Sequence, residues 1–180
     1  MRLFCRDYPS VQVTLVSEST PILLDLLSHN KIDLTLTTES IRGSKNELLF
    51  SDNLVWIGTA NGDACKRTPL PVALGSESCA FREPAVDALN QATVDWNPVV
   101  QVGGLEAILA CLDADMAIAP YMSKIVPSNL KIIEQEVGLP ALPQTHVNLR
   151  MPSPSANPIA QELANYIQRG VKVGYTREVA

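Results

Sequence analysis

The sequence predicts an α/β protein built as two lobes with a cleft between them. Short apolar strands alternate with amphipathic helices along the whole chain, and the alternation falls into two blocks. A last strand and helix then follow that could return to the first block. The 180 residues, 46% hydrophobic and 18% charged, suffice for one domain or for two small lobes sharing a crossover.

The first block opens on the end of an amphipathic helix at Leu3–Asp7. Tyr8-Pro9 stops it, because the residue before a proline is pushed out of the helical region. Val11 to Val16 alternates with period two and predicts a half-buried strand. Thr20 then reads as N-cap and Pro21 as N1, where a missing N–H costs nothing. Ile22, Leu23, Leu26 and Leu27 form the stripe of a helix ending near His29-Asn30. Ile32 to Leu36 is the next strand, with Thr37-Thr38 at its carboxyl end. A strand-helix-strand unit needs a right-handed crossover and a parallel sheet, and ligands collect at the carboxyl ends of such strands. Glu47–Phe50 and Leu54–Gly58 predict a hairpin or paired edge strands. Ala60 through Pro69 is polar and turn-rich, a passage between lobes.

The second block repeats the pattern. Pro71–Leu74 is a strand, Gly75–Cys79 a polar loop, and Ala85, Val86, Ala88 and Leu89 lie on a helix. Trp96–Val100 is a strand. Gly103-Gly104 leads into a helix carrying Leu105, Ile108, Leu109 and Leu112, and Met116–Ala119 is a strand ending at Pro120. Leu130–Ile133 and His146–Arg150 are late strands. Asn157-Pro158 starts the final helix, with Ile159, Leu163, Tyr166 and Ile167 inward. Lobe I is placed at residues 1–59 plus 146–180 and lobe II at 60–145.

Fourteen basic and 19 acidic residues give a formal charge of −5, which argues against this piece gripping a phosphate backbone. No run of 18 or more apolar residues implies a membrane span, and the start does not read as a secretory signal. Four cysteines far apart, with two histidines, make a metal site improbable and fit a reducing cytoplasm. No phosphate-cradling glycine loop anchors a nucleotide, so no cofactor is expected. No nucleophile sits beside an oriented base, so no enzyme is expected; His29 belongs to a helix carboxyl end and His146 opens a strand.

Several segments together resemble the effector-binding domain of LysR-type transcriptional regulators, a fold like the type 2 periplasmic binding proteins with two Rossmann-like lobes. They are Leu3-Phe4-x-x-x-Tyr8-Pro9-x-Val11, then Leu26-Leu27 to Asp33-Leu34, then Leu105 to Pro120. Cys79-Ala80-Phe81-Arg82-x-Pro84-Ala85-x-x-Ala88-Leu89 looks like the LrhA/HexA-like branch, regulators of motility and secreted factors. Asp113-Ala114-Asp115 departs from the Gly-Leu-Gly that the family often carries in that turn. Asp tolerates left-handed backbone better than most residues, though less well than Gly. The resemblance implies a helix-turn-helix and a first sensor strand upstream, neither of which is present. The expectation is therefore a sensor module whose lobe I lacks its first strand and is completed by another chain or rearranged.

The resemblance also implies a small-molecule effector between the lobes and self-association as a dimer or tetramer, commonly a side-by-side antiparallel dimer. DNA would be contacted only through the absent N-terminal region. From the residues, Ser19 and Thr20 stand at a helix start suited to an anion, although Thr20 equally suits a cap. Thr37 sits at a strand end, as ligand contact or plain loop. Ser76, Ser78 and Cys79 face the cleft from lobe II, with Phe81 as an apolar wall. Arg82 is a counter-charge there or a surface partner of Glu83 or Asp87. Gly103 lets backbone approach a ligand or simply turns the chain. Two alternatives stay open: a stand-alone solute-binding protein of the same fold, and a thiol-based redox sensor acting through Cys79.

Overall fold

The computed structural model describes residues 1–44, 47–100, 104–133, 138–152 and 157–177, and side chains as far as 172. The chain divides into two compact units, Met1–Ser51 with His146–Ala180, and Asp52–Thr145. The first passage between them falls inside a strand, because Leu48–Thr59 is one continuous strand, β2. The sequence splits it at Ser51-Asp52-Asn53, which reads as a turn. Asp52 is instead 2% exposed, and its carboxylate accepts hydrogen bonds from Ser123 Oγ, the Lys124 N–H and the Asn53 N–H. A satisfied carboxylate can stay inside, so the strand continues through it.

The first unit holds α1 (Arg2–Asp7), α2 (Thr20–Ser28), β1 (Thr35–Glu39), the first residues of β2, most of β7 (Gln144–Arg150) and α5 (Pro158–Arg177). β7 lies between β1 and β2 and runs antiparallel to β1, with Thr37 opposite Asn148 and Glu39 opposite His146. Tyr8-Pro9 ends α1 as expected: Phe4 is fully buried, stacked on Tyr8 at 4.9 Å and edge-on to Tyr166 of α5 at 5.6 Å. Leu23 and Leu27, four apart on α2, are buried, and α2 packs on β1.

Two strand expectations shift here. The strand expected at Ile32–Leu36 begins at Thr35, so Thr37 and Thr38 lie inside it rather than beyond it. Val11–Val16 forms no strand among the described residues, and Leu15 is 82% exposed. Alternation supplies two faces, but a strand also needs a partner's N–H and C=O groups. β1 offers no free place at Thr38, where the Thr20 hydroxyl takes both: it donates to Thr38 O and accepts from Thr38 N–H, each at 3.2 Å. Ser19, not Thr20, is therefore the N-cap residue of α2, without a side-chain cap bond.

The second unit contains the rest of β2, β3 (Leu70–Ala73), α3 (Arg82–Gln91), β4 (Trp96–Val100), α4 (Leu105–Asp113), β5 (Ala119–Met122) and β6 (Leu130–Ile132). β3 and β4 are parallel, whereas β5 and β6 pair antiparallel with β2. The strand expected at Met116–Ala119 is displaced to β5. Pro120 sits within it, tolerated because β5 ends the strand path. The strands bury both faces. Trp56, Val72 and Leu74 pack with Ala85 and Leu89 of α3; Ile57 and Ala73 pack with Leu112 of α4. Each fully buried Leu or Ile contributes about 1.5–3 kcal/mol.

Three helices stop in the same way. Lys31, Val94 and Met116 donate their N–H to Leu26, Leu89 and Cys111, five residues back, while the preceding residue turns left-handed. This is the Schellman ending, which favours glycine at the turning position. Here that position holds Asn30 (φ 52°), Thr93 (φ 54°) and Asp115 (φ 51°).

Candidate functional site

The second unit presents the loop from Leu74 to Phe81 at the carboxyl end of β3, where open α/β sheets bind ligands. Its shape is fixed from within. The Cys79 N–H donates to Ser76 O and the Arg82 N–H to Cys79 O. Arg82 Nη1 donates to Gly75 O at 2.9 Å, so the guanidinium braces the loop rather than pairing with Glu83 or Asp87. Gly75 is required by close approach: a Cβ there would lie 2.9 Å from Cys79 Sγ. Ser76 Oγ and Ser78 Oγ are 3.0 Å apart at the loop's exposed tip, and Phe81 is half-buried. Two adjacent hydroxyls on a braced turn can share an acceptor such as a carboxylate, hydroxyl or carbonyl oxygen. Gly104 caps α4, while Gly103 lies outside the described residues.

In the first unit the candidate residues separate. Ser19 Oγ, at the start of α2, is buried and has no hydrogen-bond partner among the described residues. Thr20 is committed to Thr38, with one lone pair remaining. Thr37 is 1% exposed, and its hydroxyl lies against Glu39 Oε1 and Asn148 O.

Thr37 belongs to a polar network that sequence reasoning missed. Arg150 donates to both Glu39 oxygens through Nη2, the shorter bond 2.9 Å, and to Glu47 through Nη1 at 2.7 Å. Asn148 Oδ1 accepts from the Gly43 N–H at 3.1 Å, tying the segment after β1 to β7. Burial alone would raise the Glu39 carboxyl, but bonds from Arg150, Thr37 and Asn148 outweigh it and hold it below the ordinary range. Glu47 is lowered by Ser44 and then by Arg150, and Arg150 is raised chiefly by Glu39. The available signal was period two: Thr35, Thr37, Glu39 and His146, Asn148, Arg150 all fall on one sheet face. His146 Nδ1 lies 2.8 Å from Ser51 Oγ in the same unit.

Among the described residues no cluster of metal-ligating side chains occurs, and no helix is long and apolar enough to cross a membrane. Cys5, Cys65, Cys79 and Cys111 are free thiols.

Residues 1–172 match the family model described as LysR substrate binding domain. The chain is 26% identical over 168 residues to the HTH-type transcriptional regulator DgdR of Burkholderia cepacia, covering 93% of this chain and 57% of that protein. It is 23% identical over 165 residues to the HTH-type transcriptional regulator PecT of Dickeya dadantii, covering 92% and 52%. It thus spans about half the length of these relatives. The regulatory domain of Synechocystis CcmR in complex with 2-PG superposes with a TM-score of 0.71 at 17% identity, covering 95% of this chain and 88% of that one. The effector-binding domain of QuiR in complex with shikimate gives 0.67 at 13%, with the same coverage. The fold is that of these domains, an α/β fold of the type 2 periplasmic-binding-protein kind. On the family match across almost its whole length, this chain belongs to the LysR substrate-binding domain family.

Proposed function

We propose that the chain is the effector-sensing module of a LysR-type transcriptional regulator, with its two units as the regulatory lobes. A small organic effector engages Ser76, Ser78 and Phe81 from the second unit and the Ser19–Thr20 helix start from the first. The observation that carries this reading is the braced Ser76–Arg82 loop at the carboxyl end of β3, with two exposed hydroxyls side by side. The CcmR and QuiR domains, described in complex with 2-PG and shikimate, support a small-molecule ligand. Binding shifts the population of lobe arrangements, and so the geometry of an oligomer. Self-association is supported by apolar side chains left outside, among them Leu15, Val16 and Ile22 in the first unit and Leu105 in the second. DNA contact and cytoplasmic location are proposed with the whole regulator, whose helix-turn-helix is a part outside this chain.

The test is thermal denaturation of the 180-residue chain against a panel of small organic acids, alcohols and aromatics. At least one compound should raise Tm saturably, by about 2.7 kcal/mol of added stability at a hundred times Kd. The double substitution Ser76→Ala with Ser78→Ala should weaken that compound about tenfold or more, the order expected for two lost hydrogen bonds. A silent panel, or a hit indifferent to both serines, refutes the reading.

A further inference from the structure

We propose that the second unit carries a further small-molecule site, in the pocket at the amino end of β3, that takes a small primary ammonium ion with an apolar body. It lies at the other end of β3 from the Leu74–Phe81 loop and does not depend on the effector reading. The pocket has a volume of about 350 Å³, at the lower end of the usual range for ligand pockets of about 300–1,000 Å³. Its apolar lining is Cys65, Leu70, Val94 and Leu139. Leu70 is 3% exposed, and the other three are half-buried against the core that Leu70 shares with Leu89. Backbone groups hold this lining in place. The Leu70 N–H donates to Asp95 O at 2.7 Å and the Val94 N–H to Leu89 O at 3.0 Å, while Trp56 Nε1 donates at 2.8 Å to the carbonyl of Pro140, next to Leu139.

The polar lining decides the sign. Its two cations, Lys66 and Arg67, are already matched: Lys66 Nζ donates to Asp63 at 2.7 Å and Arg67 Nη2 to Asp115 at 2.9 Å. The Asp95 carboxylate and the Thr68 hydroxyl also line the pocket, and neither has a side-chain hydrogen bond or ion pair among the described residues. Two cations against the carboxylates of Asp63, Asp115 and Asp95 leave one negative charge, at Asp95. An ammonium group has three N–H donors and no acceptor, which suits a free carboxylate and a free hydroxyl oxygen. A carboxylate ligand would meet Asp95 with like charge. An apolar body of about six to eight carbon atoms suits a pocket of this size and would cover Cys65, Leu70, Val94 and Leu139.

The experiment uses the 180-residue chain with ¹³C-labelled Leu and Val methyl groups, titrated separately with benzylammonium, benzyl alcohol and benzoate, which share a ring and differ in charge. Benzylammonium should shift the methyls of Leu70, Val94 and Leu139 saturably while the backbone amides of residues 76–82 stay still. Benzyl alcohol should bind more weakly and benzoate weakest. Occupation should also slow alkylation of Cys65 by iodoacetamide while exposed Cys5 keeps its rate. Asp95→Asn should weaken benzylammonium about threefold, as for an exposed ion pair, and remove its advantage over benzyl alcohol. Should that variant fail to fold, added salt tests the same contact in the unaltered chain, and benzylammonium binding should weaken with it. Absence of saturable shifts, equal response to benzoate, shifts centred on residues 76–82, an unchanged Cys65 rate, or full affinity in Asp95→Asn or at high salt overturns the proposal. Because the 76–82 amides and the pocket methyls are read separately, this site and the effector site can fail independently.

Discussion

Glycine substitution at two equivalent helix endings should have opposite effects. Asp115 and Thr93 occupy the same left-handed position after α4 and α3, at φ 51° and 54°. A non-glycine residue there costs about 1–2 kcal/mol, somewhat less for Asp. Glycine removes that cost but loses up to about 1 kcal/mol to its freer unfolded chain. Thr93 is exposed, and what the change relieves is a β-branched residue in a poor region. Thr93→Gly should therefore stabilise by about 0.5–1 kcal/mol. Asp115 differs because its carboxylate accepts the Asp63 N–H at 3.0 Å and the Ala64 N–H at 3.1 Å, and meets Arg67 Nη2 at 2.9 Å. Bonds to a charged acceptor are worth about 1.5–3 kcal/mol each when buried. These are partly exposed, and the Arg67 pair, with side chains 48% and 28% exposed, adds under about 1 kcal/mol. Taking about 2–4 kcal/mol lost against about 1 recovered, Asp115→Gly should destabilise by about 1–3 kcal/mol. Urea denaturation followed by tryptophan fluorescence suits the comparison, since Trp56 and Trp96 both lie in the second unit. An Asp115→Gly protein as stable as the parent, or a destabilised Thr93→Gly protein, refutes the reasoning.

Acid should release the Arg150 network. Folded Glu39 and Glu47 titrate below their unfolded values, so their contribution is present above the ordinary glutamate pKa of about 4.3. It is lost as pH falls through the lower folded values. Acid titrations of Arg150→Gln should show a flatter loss of stability in that window; an unchanged slope contradicts the assignment. Thr20→Val removes both bonds to Thr38 and should cost about 1–2 kcal/mol. It also opens the β1 edge, so light scattering should report more aggregation, and unchanged scattering and stability would count against the edge role. Gly75→Ala should drive a Cβ into Cys79, 2.8 Å from its Cβ and 2.9 Å from its Sγ, and destabilise the second unit, while adding Cys79→Gly, which removes both atoms, should restore part of the loss. Additive losses in that double-mutant cycle would show that the two residues do not oppose each other.

Much of the fold was legible because helix stripes and Pro stops are local. Phe4, Tyr8-Pro9, Leu23 and Leu27 behave as their spacing predicts, and so do α3, α4 and β4. What failed depended on partners far along the chain. Val11–Val16 has a strand's alternation but no ladder, and Ser51-Asp52-Asn53 looks like a turn until Ser123 and Lys124 satisfy Asp52. The departure at Asp113-Ala114-Asp115 was visible in sequence, and Asp115 does turn left-handed; its bonds to residues 63–67 were not visible. At the candidate site, the Ser76–Cys79 loop could be placed from Pro71–Leu74 and the helix after it. Arg82's reach back to Gly75 and Thr37's burial beside Glu39 required the tertiary structure.

The proposed sensing of a small molecule rests on the Ser76–Arg82 loop. For the strongest stabilising compound of the panel, amide chemical-shift mapping on the 180-residue chain is the direct measurement. Saturable shifts centred on residues 75–82, with a second group at the start of α2, are predicted. Saturable shifts that leave both segments silent would contradict it.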